Sequence, residues 1–310
     1  MNFYTMKFIY SDKYEVNIGP HVFSTQKYRL IKQRLISENL AKNQDFIYPK
    51  PAKIEDVALV HTKAYIDDML NLRWTARTIR SELPLTSEII EAYFIHAQGT
   101  IIACQEALKK GIGFHLGGGF HHAFPDHGEG FCYINDVAVG IKKMQSLKLI
   151  RRAAVIDCDL HQGNGTARIF QNDDSVFTFS IHQENLYPIK EKSDWDIGLD
   201  NGTTDKEYLD KLQPAVEKIL SEHKPELVVY VAGADPFFMD QLGALQLTKA
   251  GLIKRDEIII HSCWKNKIPI AVTLAGGYAF DINDTVDIHL NTCKVCLATV
   301  QQKIIEVAKK

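Results

Sequence analysis

Short apolar, β-branched runs alternate with longer amphipathic stretches along this chain. Ala153-Ala154-Val155-Ile156-Asp157 is an apolar run with a polar end, and Val176 to Ile181, Leu227 to Ala232 and Ile268 to Leu274 repeat the pattern. Continuous apolar runs of this kind suit strands buried on both faces of a parallel sheet. Between them, Ser87 to Lys110 places Ile89, Ile90, Tyr93, Phe94, Ala97 and Ile101 at helical spacing. Glu207 to His223 and Thr248 to Lys265 behave the same way, and two flanking helices are predicted around residues 27–42 and 56–72. Strand–helix alternation predicts a single α/β domain: a central, mostly parallel sheet, right-handed crossovers and helices on both faces. Residues 182–206 are polar with little periodicity and read as a long surface loop, a kind often functional. No linker, repeat or low-complexity segment interrupts the pattern.

Composition narrows the class. Hydrophobic residues are 45% and charged residues 24% of 310, which excludes a disordered chain. Lys plus Arg number 36 against 38 Asp plus Glu, so the net charge of −2 does not advertise a nucleic-acid binder. No run approaches the roughly 18 apolar residues of a membrane span, and Met1 to Ser11 lacks the pattern of a secretory signal. Six scattered cysteines, Cys104, Cys132, Cys158, Cys263, Cys293 and Cys296, point to a reducing compartment: cytoplasmic, or nuclear in a eukaryote. Cys293 and Cys296 form a C-x-x-C in a polar, helix-like segment with no second pair, so zinc-finger or redox use is not expected. Nothing in the pattern predicts an oligomeric state.

Four polar features end or follow predicted strands. They are Gly117-Gly118-Gly119-Phe120-His121-His122, Asp157-Cys158-Asp159-Leu160-His161-Gln162-Gly163-Asn164-Gly165, Ala232-Gly233-Ala234-Asp235 and Ala275-Gly276-Gly277-Tyr278. In open α/β sheets, ligands bind beyond the carboxyl ends of strands. Side chains two apart on an extended segment project to one side. Asp159 and His161 therefore reach one point, with Asp157 deeper, while Cys158 and Leu160 face into packing. Burying carboxylates beside an imidazole is costly without a cation, and this donor mix suits zinc or another first-row ion. A strand-end hydrogen-bond network is the competing reading. Asp235 supplies a third ligand, although alone it would more often be a helix N-cap or loop residue. Two carboxylates and one histidine leave coordination positions open, as catalytic metal sites do. His121 and His122 cannot point the same way from an extended backbone, yet they flank one bound water if the loop bends, which glycines permit. Histidine titrates near neutrality and suits a general base. Tyr278 offers a phenol to a developing oxyanion, though alone it reads as a packing residue.

Together these segments resemble the zinc-dependent histone deacetylase family, within the arginase–deacetylase fold. The resemblance rests on Gly118-Gly119-Phe120-His121-His122, Gly130-Phe131-Cys132-Tyr133-Ile134-Asn135-Asp136, the Asp157 to Gly165 run, Ala232 to Asp235 and Gly276-Gly277-Tyr278. Asn185-Leu186-Tyr187-Pro188, Gly202 to Asp210, Leu242 to Leu245 and Gly251 to Glu257 are similar to the class IV branch. The resemblance implies one deacetylase-like catalytic domain over residues 1–310, on an eight-stranded sheet. It implies Asp159, His161 and Asp235 as zinc ligands, and His122 as general base and then acid. His121 would be the electrostatic partner of His122, buttressed by Asp157, and Tyr278 would polarise the substrate carbonyl. Gly130, Phe131 and Tyr187 match the walls of a narrow tunnel for an acyl-lysine side chain. Asn164 stands where some family members have aspartate, which predicts a less basic His122 than theirs. A potassium site is implied at oxygens of Asp157, Asp159, His161, Ser180 and Ile181, where the ion would offset buried charge. A second is implied near Phe170, Asp173 and Val176.

The implied reaction is hydrolysis of an acetyl or long-chain fatty acyl group from the ε-amine of lysine in a protein or peptide. Two alternatives stay open: a small acylated amine such as an acetylated polyamine as substrate, and a non-catalytic acyl-lysine binder. A two-metal ureohydrolase wants further bridging carboxylates, and Pro236 and Phe237 after Asp235 leave no D-x-D pair. His21, His61, His96, His115, His127, His182, His223, His261 and His289 read as surface or packing residues, with His127 and His182 in loops near the mouth.

Overall fold

All four apolar runs form strands, and shorter segments join them in the computed structural model, which describes residues 6–308. In chain order the strands are β1 Phe8–Ile9, β2 Phe46–Ile47, β3 Ile112–His115, β4 Ala153–Asp157, β5 Val176–Gln183, β6 Trp195–Leu199, β7 Leu227–Val231 and β8 Ile270–Thr273. The helices are α1 Lys27–Ser37, α2 Ile54–Val57, α3 Lys63–Leu70, α4 Ser87–Lys110, α5 Asp136–Ser146, α6 Asn164–Phe170, α7 Asp205–Glu222, α8 Lys249–Lys265 and α9 Ile282–Ala308. One eight-stranded sheet runs in the order β2-β1-β3-β8-β7-β4-β5-β6. Every pairing in it is parallel.

The strand order explains the layers. From β2 through β3, β4, β5 and β6 the chain moves one way across the sheet, then returns through β7 to β8. Right-handed crossovers put the connections of each direction on opposite faces, so α4, α5 and α6 lie on one face and α7 and α8 on the other. α9 packs on α8, and α1 on α9. The reversal falls between β4 and β7, and such a switch point opens a crevice at the carboxyl ends of the strands.

Local chemistry sets the long helices. Thr86 caps α4 by accepting the Ile89 N–H, and Gly111 ends it at φ 95°. A capping box joins Thr204 and Glu207 at the start of α7, and Thr248 accepts the Gly251 N–H at the start of α8.

Five expectations need correction. Residues 182–206 are not one loop: β5 extends to Gln183, and β6 forms the sheet edge. The burial of β6 alternates over only five residues, too short a period-two signal among so many polar side chains. His182 accordingly lies on β5, buried, with Ser180 Oγ 2.9 Å from its Nδ1. The 27–42 helix stops at Ser37, with Asn39 left-handed at φ 57°, and the 56–72 segment splits into α2 and α3, the latter capped by Thr62. Cys293 and Cys296 are fully buried on α9, which packs them as small apolar side chains in a face the sequence presents as polar.

Candidate active site

Three strand ends deliver the acidic cluster. β4 leads into Asp159 and His161, β7 into Asp235, and β8 into the Gly276-Gly277-Tyr278 turn. One ligand atom from each of Asp159, His161 and Asp235 lies within 4.8 Å of the others, and all three residues are buried. His161 Nδ1 is 3.3 Å from Asp159 Oδ1 and 3.4 Å from Asp235 Oδ2. Backbone amides aim the carboxylates: Gly276 N–H donates to Asp159 Oδ2 at 2.9 Å and Leu160 N–H to Asp235 Oδ1 at 3.0 Å. A Cβ at Gly276 would come within 2.2 Å of Asp235 Oδ2, so only glycine lets the turn close over the cluster. Beneath it, the buried Arg255 guanidinium pairs with Asp256 at 2.8 Å and donates to the Gly233 carbonyl at 2.5 Å, tying the end of β7 to α8.

The histidine pair comes from the loop after β3. Asp136 at the head of α5 accepts the Gly119 and Phe120 N–H groups at 3.0 and 2.8 Å. Asn135 caps α5 and donates through Nδ2 to the carbonyls of His121 and Ala123, both at 3.2 Å. The bend so fixed turns both rings inward, with His121 Nε2 3.1 Å from His122 Nε2. His121 Nδ1 donates to Asp157 Oδ2 at 2.6 Å, and His122 Nδ1 lies 2.8 Å from Asn164 Oδ1. Asn164 Nδ2 in turn donates to Glu129 Oε1 at 2.7 Å.

Aromatic rings stand around this floor. Phe131 meets Tyr278 edge-on at 6.0 Å between centroids, Tyr187 meets His122 at 5.5 Å, and Tyr278 meets His161 at 6.4 Å. Gly130, at φ 50°, leaves no room for a Cβ, which would sit 2.7 Å from both the Tyr187 hydroxyl and His122 Cδ2. Ser180 pairs with Asp157 across β4 and β5, and buried Ile181 follows it, so the residues named for potassium adjoin. The Asp173 carboxylate near Phe170 and Val176 is already paired with Lys142 at 2.5 Å.

Comparison with known proteins gives this arrangement a family. The histone deacetylase domain model matches residues 21–293. The chain belongs to the histone deacetylase family. Membership makes it a hydrolase of the deacetylase type. It is 37% identical to an uncharacterised protein of a Picosynechococcus species, over 87% of this chain and 90% of that one. It is 29% identical to Arabidopsis thaliana histone deacetylase 2, over 87% and 74%. Among solved structures, a histone deacetylase homologue from Aquifex aeolicus superposes with a TM-score of 0.80 at 24% identity, covering 94% of this chain and 84% of that one, which supports the fold.

The electrostatics of this deacetylase-family site fit a bound cation. Asp235 Oδ2 is buried without a hydrogen bond. Burial and the neighbouring Asp159 raise the Asp235 carboxyl to about 7. Burial opposes charge on His161, but the adjacent Asp159 and Asp235 carboxylates raise it to about 10. Protons are thus drawn to the place where a metal would displace them. At the other end, burial, then His121 and His161, hold His122 well below the ordinary histidine range. Burial disfavours His121 as a cation, yet Asp157 and Asp159 raise it to about 9. Tyr278 keeps its proton: burial of its hydroxyl end, then Asp159 and Asp235, push it well above the ordinary range.

Several residues of the site were not legible in advance. Buried Lys27 at the start of α1 donates to the Ala275 carbonyl at 2.5 Å, bracing the tyrosine turn from below. Asp240 accepts the Tyr278 N–H at 2.7 Å. Phe23 stacks on Phe131 at 6.2 Å, and His21 meets that ring edge-on at 4.6 Å. Glu129 carried one available signal, a carboxylate directly before the Gly130-Phe131 motif.

Proposed function

We propose that this chain removes an acyl group from the ε-amine of lysine in a protein or peptide. The observation that carries the reading is the convergence of the His121–His122 pair, the Asp159–His161–Asp235 cluster and Tyr278 on one crevice lined by aromatic rings. A zinc ion held by Asp159, His161 and Asp235 would supply Lewis-acid polarisation of the acyl carbonyl and a lowered pKa for bound water. Neutral His122, its Nε2 facing the crevice, takes a proton from the attacking water. Tyr278, protonated throughout, donates a hydrogen bond to the carbonyl oxygen as it gains charge. His121, held by Asp157, steadies the charge that His122 acquires. The proton then passes to the departing amine, giving an unmodified lysine side chain and a carboxylate.

Phe131, Tyr187 and Tyr278 would grip the aliphatic stem of lysine as it enters. We also assign Asp157, Ser180 and Ile181, with Asp159 and His161, to a potassium ion; the adjacency of β4 and β5 supports this. Likeness to the class IV branch favours a long acyl chain over acetyl.

The test compares acetyl-lysine and myristoyl-lysine peptides with zinc-loaded protein and a chelator control. Chelator-sensitive release of either acyl group supports the reading, and the ratio assigns the chain length. Release from acetylated polyamines alone would replace the lysine substrate. No release from any of them, by folded zinc-loaded protein, would overturn the hydrolase mechanism in favour of an acyl-lysine binder.

A further inference from the structure

We propose that Glu129 is a positioning residue for the general base: it fixes the orientation of the Asn164 amide and, through that, the tautomer of His122. The proposal rests on the role for His122 given above.

An asparagine beside a histidine is ambiguous. Its side chain has an acceptor end and a donor end of nearly equal shape, and either can face the ring. If the amide nitrogen faced His122 Nδ1, that nitrogen would need a lone pair and the ring proton would sit on Nε2. Nε2 is the atom that faces His121 and the crevice, and protonated there it could accept nothing. With Oδ1 facing the ring, Nδ1 carries the proton and Nε2 keeps its lone pair. An aspartate would impose this second state by itself, because an ionised carboxylate only accepts. Asn164 cannot impose it.

Glu129 removes the ambiguity. Its Oε1 lies 2.7 Å from Asn164 Nδ2, in a side chain only 11% exposed. An acceptor there demands the NH2 end, which turns Oδ1 to His122. The Gly165 N–H, 3.0 Å from Oδ1, favours the same orientation. The carboxylate is itself held. Arg80 donates to Oε2 at 2.7 Å, and His127 Nε2 lies 3.6 Å from the same oxygen. The Glu129 backbone exchanges two hydrogen bonds with Cys132, at 3.0 and 2.9 Å. Burial works against its ionisation, but His127, Asn164 and Arg80 outweigh it and keep the carboxyl below its ordinary range. The negative charge that other sites place next to the ring is here one amide further out. Because Glu129 precedes Gly130 and Phe131, the same turn that shapes the tunnel wall also sets the base.

The experiment uses zinc-loaded protein, Glu129→Leu, Glu129→Gln, and histidine labelled with nitrogen-15, with His122→Ala to assign the His122 signals. In the wild type, the His122 spectrum should show a protonated Nδ1 and an unprotonated Nε2. In Glu129→Leu the two signals should move toward each other as the tautomers mix. kcat on the acyl-lysine peptide should fall about 10- to 100-fold, the range for outer-shell partners, with KM within about twofold. Glu129→Gln can still present an oxygen to Asn164 and should recover much of both losses; Glu129→Ala, which also removes the acceptor, serves if the leucine variant does not fold. Unchanged nitrogen signals in a folded variant that lacks the acceptor would overturn the proposal, as would a loss carried by KM alone. If the wild type releases no acyl group, the hydrolase reading fails, and the nitrogen spectra still decide whether Glu129 sets the tautomer.

Discussion

At the candidate metal end of the site, Asp159, His161 and Asp235 crowd three ionisable groups within 4.8 Å and leave Asp235 Oδ2 without a hydrogen bond. At the histidine end the groups form a chain of complements: Asp157 accepts the His121 Nδ1–H, Asn164 faces His122, Glu129 faces Asn164 and Arg80 neutralises Glu129. Both ends are buried, so desolvation penalises charge at each. The difference is that one end is balanced within the chain, while the other leaves a buried carboxylate oxygen that a cation would satisfy. Damage to the two ends should therefore look different, even where both stop turnover.

The largest expected effect is loss of the cation. Chelation should bring acyl release to background, and zinc should restore it to the wild type but not to His161→Ala. A ligand present at about 100 times its Kd stabilises a fold by about 2.7 kcal/mol. Zinc should accordingly raise the melting temperature of the wild type and leave that of His161→Ala unmoved. A zinc-dependent rise in the variant would mean that the cluster is not the metal site.

His122→Ala should lose about 10²- to 10⁴-fold in kcat, the usual weight of general acid–base catalysis. Its melting temperature should still rise with zinc as in the wild type. If zinc no longer stabilises His122→Ala, the two ends are coupled and the comparison fails. Tyr278→Phe should lose about 10²- to 10³-fold, as when one oxyanion donor is removed. Its KM should be nearly unchanged, because the ring against Phe131 remains.

How far the sequence discloses these ends depends on how local their causes are. Asp157, Asp159, His161, Asp235 and Tyr278 are legible because each sits at or just past a buried strand, and an apolar run marks such strands plainly. The two-residue strands β1 and β2 carry no periodic signal, and β6 is hidden by its polar neighbours. Lys27 reads as a solvent-facing helix residue; only packing of α1 under the tyrosine turn buries it. Glu129 and Asn164 are 35 positions apart, and neither suggests the other until the β3–α5 loop folds over the start of α6. Metal-type clusters are written in spacing, whereas the partners that orient them are written in topology.

The smallest effect tests the histidine end most finely. Asn164→Asp alone sets two carboxylates across the gap now spanned by a 2.7 Å hydrogen bond. Two carboxylates so close do not both ionise, so that variant should be impaired by its own proton. In the double variant Asn164→Asp/Glu129→Gln, the glutamine amide donates to the new carboxylate, and the charge moves one residue closer to His122. A negative neighbour favours the imidazolium, which raises the pKa of His122. The base acts only when unprotonated, so a higher pKa moves the acid limb of kcat/KM to higher pH. In the wild type, burial, then His121 and His161, hold His122 well below 6.5, so its acid limb lies below that pH. The double variant should therefore be close to wild type near pH 8 and lose ground as pH falls toward 6. On its acid limb the loss approaches about tenfold for each pH unit by which that limb has moved. Coincident acid limbs in the two proteins would show that the charge beside His122 does not set its basicity, and that the histidine end is balanced by something other than the Asn164–Glu129 chain.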